Sequence, residues 1–194
     1  MAGWAASARY RMDPAPGPLA LVQDLLNTHS AGTSVDLLDD LGDAQDWLAG
    51  ALAGWALATG RPAPEIALTA PDLHQVRAFR AELGRLVGST PGPADAPVLR
   101  AATTTVSLGA DGVVRTEPRG AGWRGLVSLV LIEIGAAQAV DEWRRLKTCR
   151  NTECAVSFYD RSRNNSGVWH DVHTCGNAQN LRAYRARQKV RADQ

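Results

Sequence analysis

The chain has 194 residues, 45% of them hydrophobic and 21% charged, enough for one well-filled core with or without a small appendage. Three cysteines, an odd count, argue against a disulfide framework, and no apolar run is long enough to span a bilayer. The formal net charge of +1 hides a division: residues 1–143 carry ten Lys/Arg against sixteen Asp/Glu, a net of −6, and residues 144–194 carry eleven against four, a net of +7. An acidic body joined to a basic tail is the layout of a regulatory domain carrying a polyanion-binding module.

Residues 1–18 are rich in Ala, Gly and Pro, and no basic stretch followed by an apolar one marks a signal peptide. The segment reads as a flexible N-terminus, and the protein as cytoplasmic, with reduced thiols available to metal. Leu21, Val22, Leu25 and Leu26 have helical spacing. A polar loop follows over 29–35, and Asp36 to Asp40 reads as a helix start or a short ordered loop. Asp43 is a plausible N-cap for a helix from Ala44 to Thr59, with Trp47, Leu48, Ala51, Leu52 and Trp55 on one face and Gly60 as its stop. Thr69 or Asp72 opens a helix over 72–88, whose stripe is Leu73, Val76, Phe79 and Leu83; Arg77, Arg80 and Arg85 read as its solvated face. Residues 89–97 form a Pro/Gly-rich loop. Runs at 103–108 and 112–117 flank Asp111-Gly112, a strong hairpin signal.

The next helix spans 124–143, with Val127, Leu131, Ile134 and Ala137 inward, and is expected to continue through Lys147 to Cys149 as a stiff connection. Glu133 is a lone carboxylate in this apolar segment and reads as surface-facing or salt-bridged, with ligation or polarisation of a small ligand as the alternative. His29 and His74 read as ordinary core or surface histidines.

All three cysteines fall in the last quarter. Cys149-x4-Cys154 is followed after fifteen residues by His170-x4-Cys175. Three thiolates and one imidazole make a closed tetrahedral set for structural zinc. His170 repeats the spacing of the first pair, whereas His173, two residues from Cys175, would make a tight bite; His170 is preferred and His173 stays the alternative. Ala155 to Tyr159 reads as a strand and Asp160 to Gly167 as a polar turn in which Asp160 and Ser162 cap or support the ligands. Asn177 is a candidate N-cap for a helix from Ala178 to about Arg191. There Arg182, Arg185 and Lys189 share one face while Leu181 and Tyr184 can pack inward. These three cations, with Arg161 and Arg163 on the preceding turn, are the candidate DNA contacts.

Cys175-Gly176-Asn177, the Cys149–Cys154 pair, the Phe158-Tyr159-Asp160-Arg161-Ser162-Arg163-Asn164 run and Trp169 together resemble CGNR zinc-finger proteins with an N-terminal ABATE domain. Leu19 to Thr28, Asp36-Leu37-Leu38 and Trp47-Leu48 resemble the opening of that domain. Two positions depart from the pattern: Ala178 stands where an arginine usually follows, and His170 where a third cysteine does. The resemblance implies a bacterial, DNA-binding transcription regulator with bound Zn2+.

The fold expected is mainly α (α+β). Residues 1–18 form the flexible lead and 19–143 a helical domain with one β-hairpin. Residues 144–194 form a treble-clef or knuckle-like zinc module ending in a basic helix. The expected function is a zinc-binding, DNA-binding transcriptional regulator whose N-terminal domain senses a small-molecule effector or mediates homodimerisation; the alternative is a protein- or RNA-binding adaptor with a purely structural zinc. An enzyme is not expected, because the chain has no nucleophile–base pair, P-loop or dinucleotide turn.

Overall fold

Helix α2 (Leu19–Leu26) has no solvent face: all eight residues are buried, so its polar side chains must find partners inside. They do so by gathering the rest of the fold. The computed structural model describes residues 3–88, 100–151, 153–178 and 181. Around α2 lie α1 (Ala5–Ala8), α3 (Leu41–Thr59), α4 (Ala70–Leu86) and α5 (Trp123–Ala139). Asp24 accepts from the Ser7 backbone N–H at 2.7 Å and from Trp47 Nε1 at 2.9 Å. The segment expected to be loose is therefore packed: Ala6, Ser7 and Ala15 are buried. Two of its small side chains, Ala6 and Ala15, are set against the core, while Ala5, Ala8, Pro14 and Pro16 are exposed.

Helix α3 begins three residues earlier than expected, because Asp40 rather than Asp43 caps it. Asp40 has extended backbone, and its Oδ1 accepts from Gly42 N at 2.7 Å and Asp43 N at 3.1 Å. Gly60, in the left-handed conformation at φ 66°, ends the helix as expected. Helix α4 opens with a capping box. Thr69 N and Thr69 Oγ1 both donate to Asp72 Oδ2, at 2.8 and 2.6 Å. Arg80 departs from the solvated face expected of it. Its side chain is 12% exposed and forms a bidentate pair with Asp36, with a further bond to Thr28 Oγ1 at 2.7 Å. Thr28 is buried, and the arginine ties the chain after α2 to α4. The loop expected at 89–97 lies outside the described residues.

Strands β1 (Thr104–Leu108) and β2 (Val114–Pro118) form the antiparallel hairpin, with Leu108 opposite Val114. Gly112 at φ 76° makes the turn. Helix α5 carries the largest deviations from expectation. Glu133 is neither surface-facing nor salt-bridged: it is 4% exposed and accepts from Trp55 Nε1 at 2.8 Å. Burial raises its carboxyl above the usual range, against the opposing pull of the Trp55 bond and Arg61. Nor does the helix run on to the cysteines. It ends at Ala139; Asp141 takes φ 62°, a 3₁₀ turn covers Trp143–Arg145, and the chain becomes strand β3 (Leu146–Thr148). A continued helix could not place Leu146, which is 0% exposed, in the core of the body.

β3 pairs with β4 (Ser157–Tyr159) in register Leu146 opposite Tyr159. This second hairpin is fixed to the body by a side chain that imitates a strand. Asn27 Oδ1 accepts from Ser157 N at 2.8 Å, and Asn27 Nδ2 donates to Ser157 O at 2.9 Å. The fixed orientation expected of the C-terminal module is present, through hydrogen bonds and Leu146 rather than through a continuous helix. The architecture is a mixture of helices with two small sheets. Among the described residues no helix is long and apolar enough to cross a membrane.

Candidate metal centre

The β3–β4 hairpin ends in a tight reversal. Cys149 N donates to Val156 O at 2.8 Å, and Cys154 N and Ala155 N both donate to Asn151 O, at 2.8 and 3.1 Å. Ala155 at φ 52° completes the reversal and points Cys154 back toward Cys149. A second segment is tied alongside through Arg150 N to Val168 O at 2.9 Å, bringing His170 to the same place. The fourth residue arrives on a wide turn, Val172–Gly176, closed by Cys175 N and Gly176 N to Asp171 O at 3.0 and 3.3 Å. Asp171 Oδ1 caps this turn, accepting from His173 N at 2.7 Å and Thr174 N at 3.2 Å. Asn177 is not the N-cap expected of it: its backbone is already helical, and Cys175 lies in the wide turn that leads directly into the helical residues 177–178. A side chain on Gly176 would approach Trp169 Cδ1 to 3.2 Å, which accounts for the glycine after Cys175.

The ligand atoms of Cys149, Cys154, His170 and Cys175 all lie within 4.8 Å of one another. His170 Nδ1 stands 3.3 Å from Cys154 Sγ and 3.6 Å from Cys175 Sγ. A zinc ion about 2.3 Å from sulfur and about 2.0 Å from nitrogen in tetrahedral geometry requires ligand atoms about 3.5–3.8 Å apart. The donor set fits that ion in type and number, and the two His170–sulfur distances are close to its spacing. His173 is exposed and does not join the cluster.

The electrostatics agree with a cation site. Burial pushes the Cys154 thiol up to about 12, with Cys149 and Cys175 adding to the rise. Burial also raises Cys149, while the backbone N–H groups of His170 and Asn151 oppose the rise. Asn151 Nδ2 donates to Cys175 Sγ at 3.4 Å. The Cys149 and Cys154 thiols thus resist ionising in this cluster, and a divalent cation is what reverses that preference. Burial lowers His170, favouring the neutral imidazole that binds metal.

Asp160 does not serve His170. It is buried and accepts from Lys147 Nζ at 2.7 Å, Ser162 N at 2.8 Å and Gly167 N at 2.7 Å. Burial alone would raise this carboxyl, but the Lys147 ammonium and the donors on Ser162 and Gly167 hold it far below the usual range. It organises the turn that carries the chain from β4 to His170. Of the candidate DNA contacts, Arg163 is exposed. Arg161 is partly engaged, donating to Pro14 O at 2.7 Å with its guanidinium 5.5 Å from the Tyr159 ring centre. Arg182, Arg185 and Lys189 lie outside the described residues, and Leu181, expected to pack inward, is exposed. Sequence reasoning missed Asn151, Lys147 and Asp171 and gave Asn27, a polar residue in an apolar run, no role in holding the module. Asp171 carried a local signal, an Asp immediately ahead of a helical turn.

Two family models match the chain. The ABATE model, described as "Putative stress-induced transcription regulator", covers residues 19–144. The CGNR zinc finger model covers residues 145–188. No curated protein matches the chain.

Proposed function

Because this chain belongs to the ABATE family and carries a CGNR zinc finger, we propose that it is a zinc-dependent, DNA-binding transcriptional regulator without catalytic activity. Its N-terminal domain senses a ligand or mediates dimerisation, and its place of action is the cytoplasm. The carrying observation is the convergence of Cys149, Cys154, His170 and Cys175 at the tip of a hairpin fixed to the body. Zinc bound there completes a treble-clef-like module and sets the direction in which the following segment leaves. That segment supplies Arg182, Arg185 and Lys189, and the turn before His170 supplies Arg163 and, once it leaves Pro14, Arg161. A net charge of +7 over residues 144–194 suits a polyanion.

The test has two stages. Protein purified without added metal should contain one zinc per chain, lost in His170→Ala and kept in His173→Ala. Random duplex DNA should then be retained at low salt, and replacing Arg182, Arg185 and Lys189 together should lower the log–log salt slope by about three. Zinc-loaded protein that ignores DNA at low salt sinks the DNA half of the reading. The competing adaptor reading draws on Val106, Leu108 and Val114, apolar and exposed on one face of the β1–β2 hairpin; DNA-independent capture of one protein partner would favour it.

A further inference from the structure

Glu133 belongs to no ion pair among the described residues, and its hydrogen bond is the one from Trp55 Nε1. Arg61, whose charge acts on it, commits its guanidinium elsewhere, to Thr116 O at 2.9 Å and to the face of the Trp55 ring. Glu133 is also one of the residues that line a cavity of about 330 Å³ between α5 and the Pro16–Leu19 segment. Glu133, Ala136, Ala137 and Val140 line one wall at helical spacing, with Pro16, Pro18 and Leu19 opposite. The lining is otherwise apolar, apart from a second carboxylate, Glu142, and contains no cationic side chain.

We propose that this cavity binds a small amphipathic amine, its ammonium on Glu133 and its compact alkyl or ring body between Ala136, Val140 and Pro18. An apolar pocket of this size with one buried charge fixes both the shape and the sign of its ligand. A neutral apolar molecule would leave the carboxyl without a counter-charge, and an anion would meet two carboxylates. An ammonium gives Glu133, itself 4% exposed, a charge-assisted bond, stronger than a neutral one. The occupant is also placed to be felt by the metal module: Glu142 accepts from Tyr159 Oη at 2.8 Å, and Tyr159 is the last residue of β4. The proposal deepens the ligand-sensing part of the reading above and is independent of its DNA-binding part.

The test uses the full zinc-loaded chain with cyclohexylamine, cyclohexanol and cyclohexanecarboxylate as probes. The readouts are titration calorimetry and the indole N–H resonance of Trp55, assigned with Trp55→Phe. Cyclohexylamine should bind saturably and shift the Trp55 resonance, with the alcohol and the acid at least about tenfold weaker. Glu133→Gln, which keeps an acceptor for Trp55, should weaken the amine at least about tenfold, and Ala136→Phe, which fills the mouth from an exposed position, should abolish binding without lowering the melting temperature. Equal affinity for amine and alcohol, binding that survives both substitutions, or no binding of the amine at all would overturn the proposal. Loss of DNA binding with amine binding intact would count against the DNA half alone.

Discussion

In the body, Leu21, Leu25, Trp55, Phe79, Leu126 and Leu129 are essentially sealed from water. Beyond Cys149, among the described residues, the buried apolar side chains are Val156 and Phe158, together with the sulfurs of Cys149 and Cys175. The first region is held by many interchangeable contacts and the second by a few irreplaceable ones. A segment of this size cannot bury enough surface to fold alone. It relies on the four ligands, on the Lys147–Asp160 turn and on its seat against α2. Damage to one region should therefore be abrupt and local, and damage to the other graded and global.

The largest effect should come from the ligands. Cys154→Ala, or a strong chelator on the native chain, should remove on the order of 10 kcal/mol of metal-linked folding free energy from the module. Amide exchange there should become fast while the α2, α3 and α5 amides stay protected. Leu25→Ala is the counterpart in the body. It should cost about 3 kcal/mol of global stability, visible as a lower denaturant midpoint, with one zinc still bound per folded chain. If chelation melted both regions together, the comparison drawn here would fail.

Asn27 tests the joint between the two. Asn27→Ala leaves the buried Ser157 N–H without its partner and the Ser157 C=O with only the longer bond from Gln23 Nε2 at 3.4 Å, at a cost of about 2 kcal/mol. The expected signature is faster exchange at the Ser157 amide and a separation of two unfolding transitions, with zinc retained. A single unsplit transition at the wild-type midpoint would show that Leu146 and the remaining bonds, from Gln23 to Ser157 O and from Arg161 to Pro14 O, secure the module without Asn27.

The parts legible in the sequence are those with a local cause. Asp111-Gly112 fixes a hairpin, Thr69 with Asp72 starts a helix, Gly60 stops one, and the Cys/His spacing brings together the four residues that meet. The parts that were not legible depend on what a residue faces across the fold. Asn27, Gln23 and Asp24 interrupt the apolar run over 19–28, and the helical spacing of its leucines says nothing of their role as the interior hydrogen-bonding surface of α2 and its C-cap. Arg80 reads as solvated because its partners, Asp36 and Thr28, sit on another element. The break after Ala139 has no glycine or proline to announce it. Asp141 accepts the left-handed conformation, and the destination of Leu146 forces it.

The smallest effect, and the most discriminating, concerns two buried carboxyls with opposite shifts. Asp160 is held low, so it contributes stability above its unfolded pKa of about 3.9 and loses that contribution as pH falls below it. Glu133 is held high, so its contribution is complete below its unfolded pKa of about 4.3 and is lost as pH rises through the folded value. Once pH has risen past that folded value, the body carries a charge that burial disfavours, with the Trp55 indole N–H to support it. Glu133→Gln keeps that acceptor and deletes the charge. It should raise the body's denaturant midpoint at pH 7, with the gain shrinking as pH falls toward 4, whereas Asp160→Asn should lower the module's stability at pH 7. Parallel midpoint curves for wild type and Glu133→Gln across pH 4–8 would mean that Glu133 is not a stressed carboxylate. The body would then need no incoming cation to relieve it.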